Sequence, residues 1–222
     1  MSKRSVVLAV NEYYHVYNRG NSKQIIFKDD QDRRRFVKLL GLLNQVPRSR
    51  VDASSLDLAF SKKDSPLVAI GAYALMDNHF HILAKQIEEE GVTLFMQKVC
   101  TAYVMYFNKK YKRTGALFEG PFKSQHAGND RYMRYLYAYI HLNPAKLVDP
   151  LWKEKIISKR KEVIDFVRQY PYSSFHDYCG IVRSENSVIS PSQFPIYFES
   201  PKHFTESILS WLMIGHQQGE AL

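Results

Sequence analysis

The chain has little of what a secreted or membrane-embedded protein needs. Its 222 residues include two cysteines, Cys100 and Cys179, whose separation fits neither a metal knuckle nor a disulfide framework. A reducing, cytoplasmic setting is therefore expected. No run of about 18 apolar residues occurs, so no membrane-spanning helix and no membrane partner is expected. The start, Lys3-Arg4 followed by Val6 to Val10, has the order of a signal peptide, but the apolar stretch is short and leads straight into Asn11-Glu12. Negative charge is also scarce. The 22 acidic residues face 31 Lys and Arg, a net charge of +9, and a surplus of that sign favours polyanions, chiefly nucleic acid or an anionic membrane.

Apolar residues make up 45% of the chain and aromatic residues 14%, enough to bury a core and to exclude wholesale disorder. No internal repeat is visible. Tyr14 to Tyr17 reads as a strand closed by the turn-rich Asn18-Arg19-Gly20-Asn21. Asp29 or Asp30 is placed to cap a helix carrying Phe36, Leu39, Leu40 and Leu43. Residues 44–66 are polar and long for a loop, which suggests a surface insertion.

Leu67 to Met76 is almost wholly apolar, as in a strand covered on both faces. Asp77-Asn78 makes a turn, and His79 to Lys85 then alternates, so residues 67–85 are expected to form a hairpin. Residues 93–111 carry a helical stripe of Phe95, Val99, Ala102, Tyr103 and Tyr106. Residues 116–126 suggest another strand, and Asp130 a cap for a helix to about His141. Beyond Pro150, residues 151–169 read as a charged helix ended by Pro171. A short amphipathic helix is expected around Phe204 to Ile214. Strands alternating with helices around a hairpin imply an α+β sandwich. The expected division is a core over 1–150 and a helical extension over 151–222.

The chemistry concentrates at His79-Phe80-His81. In a strand, residues i and i+2 share a face, so two imidazoles can address one metal while Phe80 points away. On the later helix, Tyr139 and Asn143 are i and i+4 neighbours and can face that ion together. Tyr135, one turn earlier, is the reserve tyrosine. Pro144 is expected to push Asn143 toward the helix end. His15, His126 and His141 read as structural or surface histidines, and Glu119 as a possible polar neighbour of the site.

MDNHFHIL (Met76–Leu83) resembles the His-hydrophobic-His motif of the HUH superfamily, and YIHLNP (Tyr139–Pro144) resembles the tyrosine helix of the single-domain tyrosine transposases of small insertion sequences. YHVYNRGNSKQIIF (Tyr14–Phe27), GALFEGPFKS (Gly115–Ser124) and YPYSSFHDYCG (Tyr170–Gly180) are similar, in the same order, to segments of the REP-associated branch. The resemblance spans about residues 13–180. Asp77 stands where that branch often has proline, and Phe118 where it often has tryptophan. The resemblance implies a ferredoxin-like fold with an antiparallel sheet and packed helices. It further implies Mg²⁺ or Mn²⁺ held by His79, His81 and Asn143, with Tyr139 as nucleophile. The substrate would be single-stranded DNA with a hairpin or inverted repeat, nicked and rejoined through a 5′-phosphotyrosine by a monomer or homodimer.

Arg19, Arg33, Arg34, Lys98, Lys109, Lys112, Arg113 and Lys123 are the cations expected to neutralise phosphates. Two imidazoles suit Mn²⁺ better than oxygen-seeking Mg²⁺. A domesticated DNA- or RNA-hairpin binder without strand transfer is the alternative; it needs the basic surface but not the phenol. A metal phosphohydrolase without a covalent step is a third possibility.

Overall fold

The computed structural model describes residues 7–45, 66–152 and 159–212. Most of the expected insertion, residues 153–158 of the expected 151–169 helix, the chain start and the last residues of the amphipathic tail lie outside them; residues 151–152 form a turn, so that helix does not begin at 151. Four strands form one antiparallel sheet: β1 (Tyr13–Arg19), β2 (Val68–Met76), β3 (His79–Gln86) and β4 (Lys123–His126), in the order β2-β3-β1-β4. Helix α1 (Asp30–Leu42) joins β1 to β2, and α2 (Gly91–Lys110) joins β3 to β4. Two split β-α-β units thus interleave, which is the ferredoxin-like α+β arrangement. The 116–126 region contributes a shorter strand than expected, preceded by an isolated bridge between Gly20 and Phe118.

Both helices lie on one face of the sheet. Tyr14, Val16, Phe80 and Ile82 from the strands pack there with Phe36 and Leu40 of α1 and Val99 and Tyr103 of α2. The other face carries α3 (Asp130–Leu142), so the sheet is covered on both sides and β2 is buried along its whole length. The β2 residues facing α3 are small: Ala69, Ala72 and Ala74. A register shift between Ile70 and Ala72 restores this phase after an extra residue, Gly71. A Cβ on Gly71 would stand 2.7 Å from the Phe194 ring, so the glycine is what lets that ring close on the sheet.

The cap of α3 is Asn129, whose side chain accepts the Tyr132 N–H, rather than the Asp130 expected from sequence. Asp130 is the first helical residue, where its charge favours the helix N-terminus and where it also accepts the Tyr197 hydroxyl. Beyond α3, α4 (Arg160–Gln169), α5 (Phe175–Tyr178) and α6 (Pro201–Ser210) follow. Val163, Phe175, Phe204 and Ile208 from this region share one apolar core with Leu136, Ile140 and Leu142 of α3. Covering α3 from outside in this way holds it against the sheet.

Residues 172–174 run beside β2: the Leu75 N–H donates to the Tyr172 carbonyl, the Ser174 N–H to the Tyr73 carbonyl, and Ala74 bridges Ser173. Arg183 fixes the segment, donating to the carbonyls of Pro171 and Ser173 and to the Asp177 carboxylate.

Candidate active site

The histidine pair begins β3, next to the turn that makes the β2–β3 hairpin. Alternation sends Phe80 into the α1/α2 core, and His79 and His81 to the α3 face. The register then decides their neighbours: Tyr17 of β1 stands opposite His81, Arg19 opposite His79, and Ala74 of β2 behind His81. The two imidazole rings are 5.0 Å apart and nearly perpendicular.

Each ring is oriented through Nδ1. His79 Nδ1 donates to Asn78 Oδ1 (2.6 Å), and His81 Nδ1 shares a hydrogen bond with His15 Nε2 (2.9 Å). Engagement of Nδ1 makes Nε2 the nitrogen through which either ring would ligate a metal. The turn thus supplies more than a reversal. The Asp77 carbonyl accepts the N–H groups of Ile26 and Phe27, and its side chain pairs with Arg33.

Tyr139 comes from α3 of the same chain. Its ring meets His81 edge-on at 5.2 Å and His15 at 5.7 Å. Asn143 keeps right-handed helical dihedrals (φ −54°, ψ −38°) despite Pro144. The proline instead opens a 3-10 turn, Asn143–Leu147, where its missing N–H costs nothing. Asn143 thus sits at the helix end, as expected, capping α3 but with helical rather than extended dihedrals, and its side chain hydrogen-bonds the Tyr139 phenol. Burial pushes that phenol above its ordinary pKa; the bond from Asn143 and the charge of Arg19 oppose the rise, while Tyr17 adds to it. At neutral pH the phenol keeps its proton. Tyr135 is one turn away, its ring 5.7 Å from that of Tyr139 and packed against Tyr132 and Trp211.

These groups share a cavity of about 280 Å³. His79, His81, Tyr139 and Asn143 line one part of it; Arg19, Lys123, Lys146 and Glu119 supply charge; Tyr17, Asn18 and Trp152 complete the wall. Asn18 donates to the Gly120 carbonyl, and the Glu119 N–H donates to the Arg19 carbonyl, which pins Glu119 at the rim. Lys146 lies one 3-10 turn beyond Asn143 and was not singled out by sequence; its spacing of i+3 from Asn143 was the available signal. Asn78, Tyr17 and Trp152 were likewise missed.

The donor set suits a divalent ion. Among the described residues no three His, Cys, Asp or Glu side chains are placed to hold a metal ion together, so an ion would rest on two imidazoles and one amide oxygen. Asn143 Oδ1 is buried without a hydrogen-bond partner, a costly state for an acceptor and one that a cation would relieve. Three such neutral donors would leave coordination positions for water and a phosphate oxygen.

Of the eight cations expected to meet phosphates, Arg19 and Lys123 line the cavity. Arg33 donates to Asp77, and Lys98 to the Gln45 carbonyl. Arg33, Arg34, Lys98 and Lys109 belong to α1 and α2, across the sheet from Tyr139. Lys112 and Arg113 follow α2, and Arg113 is over the Phe107 ring and donates to the Ala116 carbonyl. His126 pairs with Glu12, outside the cavity. His141 is fully buried between the Tyr137 carbonyl and the Ser174 hydroxyl.

No protein-family model matches the chain, and no curated protein matches it by sequence. A solved structure described as that of a REP-associated tyrosine transposase bound to a REP hairpin is similar in fold, with a TM-score of 0.50 and 14% identity. The alignment covers 89% of this chain and 96% of that one. No helix among the described residues is long and apolar enough to cross a membrane.

Proposed function

We propose that the chain is a metal-dependent, tyrosine-dependent DNA endonuclease and strand transferase acting on single-stranded DNA at hairpins. One observation carries the reading: the Tyr139 phenol, hydrogen-bonded by Asn143, meets the His79–His81 pair in a single cation-lined cavity built by one chain. The similar fold of a hairpin-bound transposase supports the choice of DNA hairpins as substrate.

His79 and His81 through Nε2, with Asn143 through Oδ1, would hold Mg²⁺ or Mn²⁺. When bound, such an ion acts as a Lewis acid on the scissile phosphate and orients it. The chain's own groups do the rest. Arg19, Lys123 and Lys146 draw the backbone phosphates into the cavity, and Tyr17 and Trp152 border the space a splayed nucleotide would fill. The Tyr139 oxygen attacks phosphorus in line, gives up its proton, and becomes esterified as a 5′-phosphotyrosine; the departing strand leaves as a 3′-OH after gaining a proton. A second 3′-OH then attacks the same phosphorus and releases the phenol, so one phosphodiester replaces another without ATP. The hydrogen bond that Asn143 gives the phenol stabilises the oxygen as negative charge develops on it.

The test is a labelled single-stranded hairpin from the flanking genomic DNA, incubated with the protein and Mn²⁺ or Mg²⁺. Cleavage and a covalent adduct are expected, and both should vanish in Tyr139→Phe while hairpin binding persists. An adduct that survives Tyr139→Phe refutes the assignment.

A further inference from the structure

Beside the groups proposed to act on DNA lies a further histidine, His15, hydrogen-bonded to His81. We infer that His15 is a positioning residue that holds His81 in the tautomer able to ligate a metal. The inference rests on the proposed metal-dependent reading and deepens it.

His15 and His81 are both buried, at 6% and 5% exposure, so their mutual hydrogen bond is shielded from water. His15 sits on β1 two residues before Tyr17, the direct cross-strand partner of His81. That places the two histidines diagonally on one face, where β-sheet neighbours interact. Their rings are 5.0 Å apart and 27° from parallel, and Tyr17 backs His15 at 4.9 Å. The ring is therefore held on one side by Tyr17 and on another by His81.

A neutral imidazole carries one N–H and one lone pair. A single proton between His15 Nε2 and His81 Nδ1 has two consequences for the cavity. If His15 donates, the proton of His81 resides on Nε2, and the ring presents an N–H where a ligand is needed. If His15 accepts, His81 keeps its proton on Nδ1 and turns the lone pair of Nε2 outward. The neighbouring ring favours acceptance: His79 shows the same arrangement, its Nδ1–H donating to Asn78 Oδ1. His15 and Asn78 then play one role on two rings: each fixes tautomer and orientation from outside the coordination sphere.

The tautomer is read in the metal-free wild-type protein by long-range ¹H–¹⁵N correlation of the imidazoles. His81 should show a protonated Nδ1 and a bare Nε2; the reverse overturns the inference. Metal affinity is read separately, by Mn²⁺ titration followed by electron paramagnetic resonance. His15→Phe keeps the ring and removes the acceptor, and should weaken Mn²⁺ binding by ~10–100-fold. His15→Gln restores an acceptor and should recover most of that loss. Equal Mn²⁺ affinity in His15→Phe and wild type overturns the role of His15 alone. Wild-type protein that binds no Mn²⁺ overturns the metal reading beneath it, and the two failures are thereby distinguished. Should His15→Phe fail to fold, the wild-type tautomer still decides.

Discussion

Acidification should loosen the tyrosine helix before it titrates any carboxylate in the ordinary range. His141 lies on α3 between Tyr139 and Asn143, wholly buried, its Nδ1–H donated to the Tyr137 carbonyl and its Nε2 accepting from Ser174. Burial holds its pKa down at about 3, against 6.5 in an open chain. Between those values the unfolded chain binds a proton that the folded protein refuses, so stability falls as the pH drops below about 6.5. Each pH unit in that window removes roughly 1.4 kcal/mol, hence about 2 kcal/mol by pH 5. That is a large share of a typical total of roughly 5–15 kcal/mol. Urea denaturation of wild type and His141→Gln at several pH values between about 7.5 and 5 isolates the effect, because the remaining histidines cancel in the difference. Wild type should lose about 2 kcal/mol more than the variant across the window. Parallel slopes would refute the assignment of a neutral, proton-refusing His141.

Two further outcomes concern the reaction. Because burial raises the Tyr139 pKa above its ordinary value, the phenolate is the scarce form throughout the neutral range, and single-turnover nicking should accelerate with pH up to at least about 9, by as much as roughly tenfold per unit; a flat profile would show that loss of the phenolic proton does not limit the step. Replacing Lys146 with Gln should weaken hairpin binding and lower the slope of log affinity against log salt by about 1, whereas Lys98→Gln, already bonded to the Gln45 carbonyl across the sheet, should leave that slope unchanged in filter-binding titrations over a range of NaCl concentrations.

Local pattern made much of the site legible. The alternation of His79, Phe80 and His81, the helical spacing of Tyr139 and Asn143, and the buried run through β2 each depend on near neighbours in sequence. What escaped depends on register and on long-range contact. Nothing local says that His15, 66 residues away, will lie diagonally beside His81; the β1–β3 pairing decides it. The same holds for Arg33, which reads as a phosphate-binding cation but is held by Asp77 at the hairpin turn. The rule that a residue before proline leaves the helix placed Asn143 correctly at the end of α3 but not its helical dihedrals. Pro144 starts a new turn here, so Asn143 remains helical and Lys146 follows it into the cavity. The sequence showed an amphipathic helix around Phe204 to Ile214, but not that Phe175, Phe194, Phe204 and Ile208 would bury the outer side of α3.

The run of residues 172–174 along β2 has a consequence for self-association. An open sheet invites other chains to extend it through its unpaired backbone. Here that side is sealed from within: Leu75 and Tyr73 already exchange hydrogen bonds with the added segment, the Tyr178 hydroxyl takes the Gly71 carbonyl, and Ser190 takes that of Ile70. The opposite margin, β4, spans Lys123–His126, begins with a lysine, and borders the cavity. Among the described residues, a visiting strand would thus find its docking margin beside the site where nucleic acid is proposed to lie, and the two guests would compete for it.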